Sequence, residues 1–122
     1  MARKYSADHV WLIIEGDKGI VGITEHAQDA LGDVVFVELP QIGLRFAAGE
    51  AAGVVESVKS ASDVHMPVDG EVNEVNEALR ADPALANADP LGEGWFFKIR
   101  LENPTQAEAL MDDAAYAEFT RS

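Results

Sequence analysis

The chain has 122 residues, no cysteine, and 22 acidic against 9 basic side chains, for a formal charge of −13. This length predicts a single compact domain, residues 1–122, with a real core. So negative a surface argues against nucleic acid and membrane partners and favours protein docking sites rimmed with Lys or Arg, while the lack of cysteine removes disulfides, thiolate zinc sites and thiol catalysis. Any dithiol chemistry must come from an attached group.

The start, Met1 to His9, is polar, and no apolar run approaches the ~18 residues of a membrane helix, so the expectation is a soluble, cytoplasmic protein. Val10–Glu15 and Lys18–Ile23 are β-rich runs around Gly16-Asp17, which predicts a hairpin. Thr24 can cap a short helix through Leu31, with Gly32 as its left-handed stop. Asp33–Leu39 reads as strand, ended by Pro40.

Gly43 and Gly49 sit at turn spacing, and Ala51–Val58 follows as an extended run, with Gly53 where backbones approach closely. Asp63–Val68 and Glu71–Val75 are expected as short strands around a tight turn at Asp69-Gly70, which asks for a positive φ. Glu77–Arg80 can form one helical turn, and residues 81–94, rich in Pro and Gly, read as a long ordered loop. Trp95–Leu101 alternates, with Trp95, Phe97, Ile99 and Leu101 on one face and Phe96, Lys98 and Arg100 on the other. A capping box at Thr105–Glu108 starts a C-terminal helical segment, about 105–120, broken near Asp112-Asp113 and covering an open sheet edge. Many short strands with glycine turns predict a mainly β barrel or sandwich.

Enzyme signatures are missing. His9, His26 and His65 match no metal-ligand spacing, so no metal site is expected, and no nucleophile elbow, phosphate loop or dinucleotide motif occurs. Carboxylate pairs carry no catalytic signal in so acidic a chain. The feature that stands out is Lys59, where an apolar run ends and the small residues Ser60-Ala61-Ser62 begin. Spacing alone leaves two readings: a lysine displayed for a modifying enzyme, or a solvated charge that discourages edge pairing.

Longer blocks are more specific. Gly22-Ile23-Thr24, Leu31 through Pro40, Val55-Glu56-Ser57-Val58-Lys59, Pro67-Val68 with Gly70-Glu71-Val72, Val75 through Leu79, and Gly94-Trp95 resemble the H proteins of the glycine cleavage system, and the resemblance runs from Tyr5 to Phe119. It implies a lipoyl-type barrel-sandwich hybrid, a flattened β barrel with short helices and a C-terminal helix, carrying lipoate in amide linkage on Lys59 in a hairpin of about 54–68.

The resemblance further implies a non-catalytic carrier. A pyridoxal-phosphate glycine decarboxylase loads an aminomethyl group onto the lipoyl sulfur, a folate-dependent aminomethyltransferase removes it, and dihydrolipoyl dehydrogenase reoxidises the dithiol; lipoylating enzymes are the fourth class of partner. Glu56 matches a recognition residue of the lipoylating enzymes and Gly70 a turn glycine, while Ser57, Val58 and Ser60 would shape the hairpin. Asp63 is expected in the cleft that receives the arm.

One departure stands out. Where the family reads His-Glu-Trp, this chain has His9-Val10-Trp11, and valine cannot hold an amine as a carboxylate does. Asp8 is the neighbouring candidate for that task. The departure keeps a second reading open, an H-like protein that mainly donates or relays lipoyl groups for 2-oxoacid dehydrogenase complexes, and a third, an unmodified acidic β-domain that only binds partners.

Overall fold

Alternating apolar and polar residues build two antiparallel sheets in the computed structural model, which describes residues 3–121; the ends of the single-domain expectation, residues 1, 2 and 122, lie outside the described residues. The larger sheet has six strands in the order β1-β2-β3-β9-β8-β5: Arg3–Tyr5 (β1), Val10–Glu15 (β2), Lys18–Ile23 (β3), Phe97–Leu101 (β9), Gly70–Val75 (β8) and Arg45–Phe46 (β5). The smaller is β4-β6-β7: Val34–Glu38, Ala51–Ser57 and Ala61–His65. The two remain separate sheets, as expected of a flattened barrel-sandwich hybrid.

Their inward faces form one core. Val10, Leu12, Val21, Val72, Phe97 and Ile99 from the large sheet meet Val37, Val55 and Val64 from the small one, all nearly or fully buried. Burial of this apolar area is the main stabilising term, at roughly 25 cal/mol per Å². The predicted hairpin pairs Glu15 with Lys18, and the approach expected at Gly53 is real: a β-carbon there would stand 2.8 Å from the Glu38 carbonyl oxygen.

The outer face of β2 is also covered. Tyr5, Trp11 and Tyr116 form a second buried cluster, in which the Trp11 indole donates to the Pro90 carbonyl at 2.9 Å. The last helix, α4 (Asp113–Arg121), closes the β1 edge: Tyr5 and Met111 exchange backbone hydrogen bonds of 2.8 and 2.9 Å, and the Tyr5 and Tyr116 rings stack 4.4 Å apart.

Several expectations need correction. The Asp69-Gly70 step is not a positive-φ turn; β7 and β8 lie in different sheets, and the chain crosses between them through the buried Met66-Pro67-Val68. Gly70 is required sterically instead, because its β-carbon would stand 3.0 Å from the Arg100 carbonyl oxygen and 3.1 Å from Ile99 Cδ1. The strand expected from Asp63 starts at Ala61 and ends at His65.

The stretch 81–94 is not all loop. Asn76 caps α2 (Glu77–Ala81), and a four-residue helix, α3 (Leu85–Ala88), follows with Ala86 fully buried. Phe96 does not share a face with Lys98 and Arg100; it precedes the strand, donates to the Val21 carbonyl at 2.8 Å and is buried along with Phe97. Trp95 instead lies under the Lys98 ammonium, 5.0 Å from the ring centre. Thr105 caps nothing: Asn103, two residues earlier, caps a 3₁₀ turn at Pro104–Ala109, where Pro104 at the first helical position has no N–H to satisfy. The break at Asp112 is real, its carboxylate accepting from Ala115 N at 2.8 Å.

Candidate functional site

Lys59 stands in the middle of the three-residue connection, Val58 to Ser60, between β6 and β7. The Ser57 N–H donates to the Ser60 carbonyl at 2.7 Å, and the Ser57 hydroxyl accepts from Ser60 N at 3.1 Å and donates to Ser60 O at 3.1 Å. Ser57 is itself buried, so one side chain closes the turn from beneath. Neither Val58 nor Lys59 has a positive φ, which is why the β-branched Val58 is tolerated there.

A second attachment fixes the turn to the body. Val58 N–H donates to the Asp33 carbonyl at 3.1 Å. Beside it, Gly32 ends α1 (Glu25–Leu31) with φ +79° and ψ −155°, a region outside the left-handed helix that only glycine adopts readily, rather than the left-handed stop expected. A β-carbon at Gly32 would approach within 3.6 Å of Lys59 Cε, so the lysine stem passes over a residue without a side chain. Asn87, on α3, holds this support: its amide donates to the Gly32 carbonyl at 2.8 Å and to Gln28 Oε1 at 3.0 Å, while its oxygen accepts from Val34 N at 2.8 Å. Sequence reasoning missed Asn87, because a lone Asn in a Pro- and Gly-rich stretch gives no signal.

Next to the turn lies a cleft of about 400 Å³. Its walls bring together Asp8, Val10, Ser60 and Asp63 with the apolar Ile23, Leu31 and Val55. Val10 is only 1% exposed, so it belongs to the floor, while Asp8 and Asp63 are exposed. Glu56, Ser57, Val58 and Gly70 do not line the cleft. Glu56 and Val58 are exposed beside the lysine, and Gly70 is held in the other sheet against Arg100 and Ile99.

The same cleft contains a pair that the sequence reading treated as separate histidines. His9 and His26 stack with ring centres 4.4 Å apart, and His9 Nδ1 is hydrogen-bonded to the Tyr116 hydroxyl at 2.7 Å, which in turn meets Thr24 Oγ1 at 2.7 Å. Thr24 Oγ1 already accepts from Ala27 N, the cap predicted for α1. One order of donors that satisfies all three groups runs from Thr24 to Tyr116 to His9, with His9 neutral in that order. Burial, reinforced by the nearby His26, lowers the His9 pKa against a smaller opposing effect of Asp8, and burial raises that of Tyr116. No spacing rule could have joined residues 9, 26 and 116. Among the described residues no group of three or more His, Asp or Glu side chains is placed to hold a metal ion, and no helix is long and apolar enough to cross a membrane.

Comparisons with known proteins identify the family and the fold. The family model of the glycine cleavage H-protein matches residues 3–122. A glycine cleavage system H protein of Bradyrhizobium diazoefficiens is 57% identical over 116 residues, covering 95% of each chain. The crystal structure of a glycine cleavage system H protein from Mycobacterium marinum superimposes with a TM-score of 0.87 at 41% identity, over 96% of this chain and 94% of the other. On fold, extent and identity alike, the chain belongs to the glycine cleavage H-protein family.

Proposed function

We propose that this chain is the lipoyl carrier of the glycine cleavage system, with lipoate in amide linkage on Nζ of Lys59, working in the cytoplasm. The observation that supports it most is the placement of Lys59: exposed, flanked by small or exposed residues, held by Ser57 and Asp33, and next to a cleft large enough for the end of a tethered arm. Once attached, lipoate supplies the dithiol and disulfide couple that a cysteine-free chain lacks.

The chain's own residues present and shelter the arm. Ser57 and Gly70 act through shape, the first by closing the turn and the second by allowing β8 and β9 to approach. Glu56, Val58 and Ser60 form the exposed surroundings that a lipoylating enzyme would read. In the cleft, Asp8 and Asp63 are the carboxylates able to accept hydrogen bonds from an amine.

Glycine decarboxylase, aminomethyltransferase and dihydrolipoyl dehydrogenase would perform the chemical steps, with this chain as their non-catalytic carrier. A tether raises the effective concentration of its end at each docked active site, and the −13 charge suits partners with basic rims. No feature of the fold or the relatives favours the lipoyl-relay reading. The test is Lys59→Arg, which keeps the charge and removes the acceptor: it should abolish both lipoylation and glycine-dependent carbon dioxide exchange with the decarboxylase. Retained exchange in that variant would refute the assignment.

A further inference from the structure

The strand next to the lysine turn breaks the inside-outside rule. Val34 and Val37 of β4 are buried, but Val35 and Phe36 between them are both exposed, at 54% and 50%. The cause is a bulge: Val34 pairs with Ser57 and Phe36 with Glu56, so two steps along β4 match one along β6. Bulges of this kind re-aim side chains at sheet edges and beside functional sites. Here the bulge turns two consecutive apolar side chains to solvent on the edge strand of the small sheet.

These side chains belong to the lysine turn. Phe36 lies directly across from Glu56, and residues paired in this way share a face of the sheet. Val58, adjacent to Lys59 and 70% exposed, is tied by its N–H to the Asp33 carbonyl, at the entrance to β4. Three exposed apolar side chains and two flanking carboxylates, Asp33 and Glu56, therefore gather at one end of the small sheet. Ile42 and Leu44, also exposed, lie on the connection beyond the far end of β4.

We infer that Val35, Phe36 and Val58 form a docking face with an apolar centre and an acidic rim for the enzyme that acylates Lys59, whose own matching surface is apolar at its centre and basic at its rim. The inference rests on Lys59 as the attachment site. Reach decides between partners. Acylation needs Nζ itself inside the partner's active site, so the acylating enzyme must cover the residues flanking the turn, whereas a partner served by the finished arm can stand further off. In that step the bond from Nζ to the acyl carbonyl carbon forms as the bond from that carbon to the phosphate of an acyl adenylate breaks; the amine gives up a proton and the nucleotide departs. Apolar centres rimmed by charge are the usual anatomy of such interfaces.

The experiment uses the unmodified full-length protein with a lipoate–protein ligase, lipoic acid and ATP, following the mass of Lys59 peptides against carrier concentration. Phe36→Ser is expected to raise the KM for the carrier about tenfold with kcat little changed, the scale of losing one interface anchor. Phe36→Leu should restore most of it, and Ile42→Ser should behave as wild type. Because Phe36→Ser could weaken the strand, Val58→Ser, on the turn, carries the same expectation, and melting curves accompany both. Variants lipoylated first should be loaded from glycine by the decarboxylase at the wild-type rate. Unchanged KM values in Phe36→Ser and Val58→Ser would overturn the inference, as would an equal loss at the decarboxylase step. Wild-type protein that is not acylated at Lys59 would overturn the attachment reading, and the inference with it.

Discussion

The Ser57 hydroxyl lies 3.1 Å from the backbone nitrogen of Ser60 and spans the turn on which Lys59 stands. Ser57→Ala removes that bond while leaving the strand pairing of β6 and β7 intact. The expected loss is about 1 kcal/mol of stability, with faster hydrogen exchange at the Ser60 amide and slower acylation of Lys59. Exchange at Ser60 equal to wild type would mean that the backbone alone sets the turn.

Gly70→Ala separates two explanations of a glycine. Because Gly70 has no positive φ, backbone strain is not the obstacle; contact with the Arg100 carbonyl and Ile99 is. Overpacking of this kind costs about 1–3 kcal/mol. Adding Ile99→Val, which removes the Cδ1 atom 3.1 Å from the new β-carbon, should recover part of the loss in a double-mutant cycle read by urea unfolding. Simple additivity would contradict the steric account.

The His9 pair predicts a direction for pH dependence. The folded-state pKa of His9 is lowered by burial and by His26, so as pH falls through the ordinary histidine value of about 6.5 the unfolded chain takes up the proton first. Folding stability should therefore decline from neutral pH downward, until the folded protein also protonates. Asp8 partly offsets this effect. His9 has φ +64°, so His9→Asn, which tolerates that backbone, is the suitable variant. Its melting temperature should fall less than wild type between pH 7.5 and 5.5, and an identical slope would remove His9 from the account.

Val10→Glu has opposite effects on stability and on cargo. At 1% exposure the new carboxyl is placed on the cleft floor near Asp8 and Asp63, at a cost of about 1–3 kcal/mol, which urea unfolding reads directly. The same carboxyl can hold the amine of the glycine-derived load, so the loaded form should persist longer by mass spectrometry. A loaded lifetime that does not change would show that Val10 is neutral in sheltering the arm.

What the sequence disclosed follows from how local each feature is. The Gly16-Asp17 hairpin, the Thr24 cap and the break at Asp112 were readable because each depends on a few neighbouring residues. The helix containing Asn87 was not, since four residues cannot sustain a helix alone and α3 owes its place to the contacts around buried Ala86. Gly70 was read as a turn because Asp-Gly signals one locally, whereas its real neighbour is β9, about thirty residues away. Lys59 stood out by its position in the sequence but gained its role only through family resemblance, through which Asp8, Val10 and Asp63 also entered, and the fold brings these last three to one cleft. The link between His9 and Tyr116 spans 107 residues and leaves no trace in spacing.

The central claim is best tested by the intact mass of the protein from its native host, with peptide mapping around Lys59, before and after incubation with glycine and glycine decarboxylase. The account predicts one lipoyl increment on Lys59 that shifts further, by the mass of an aminomethyl group, once glycine and the decarboxylase are added. An unmodified Lys59, or a lipoyl group that glycine never loads, would contradict it.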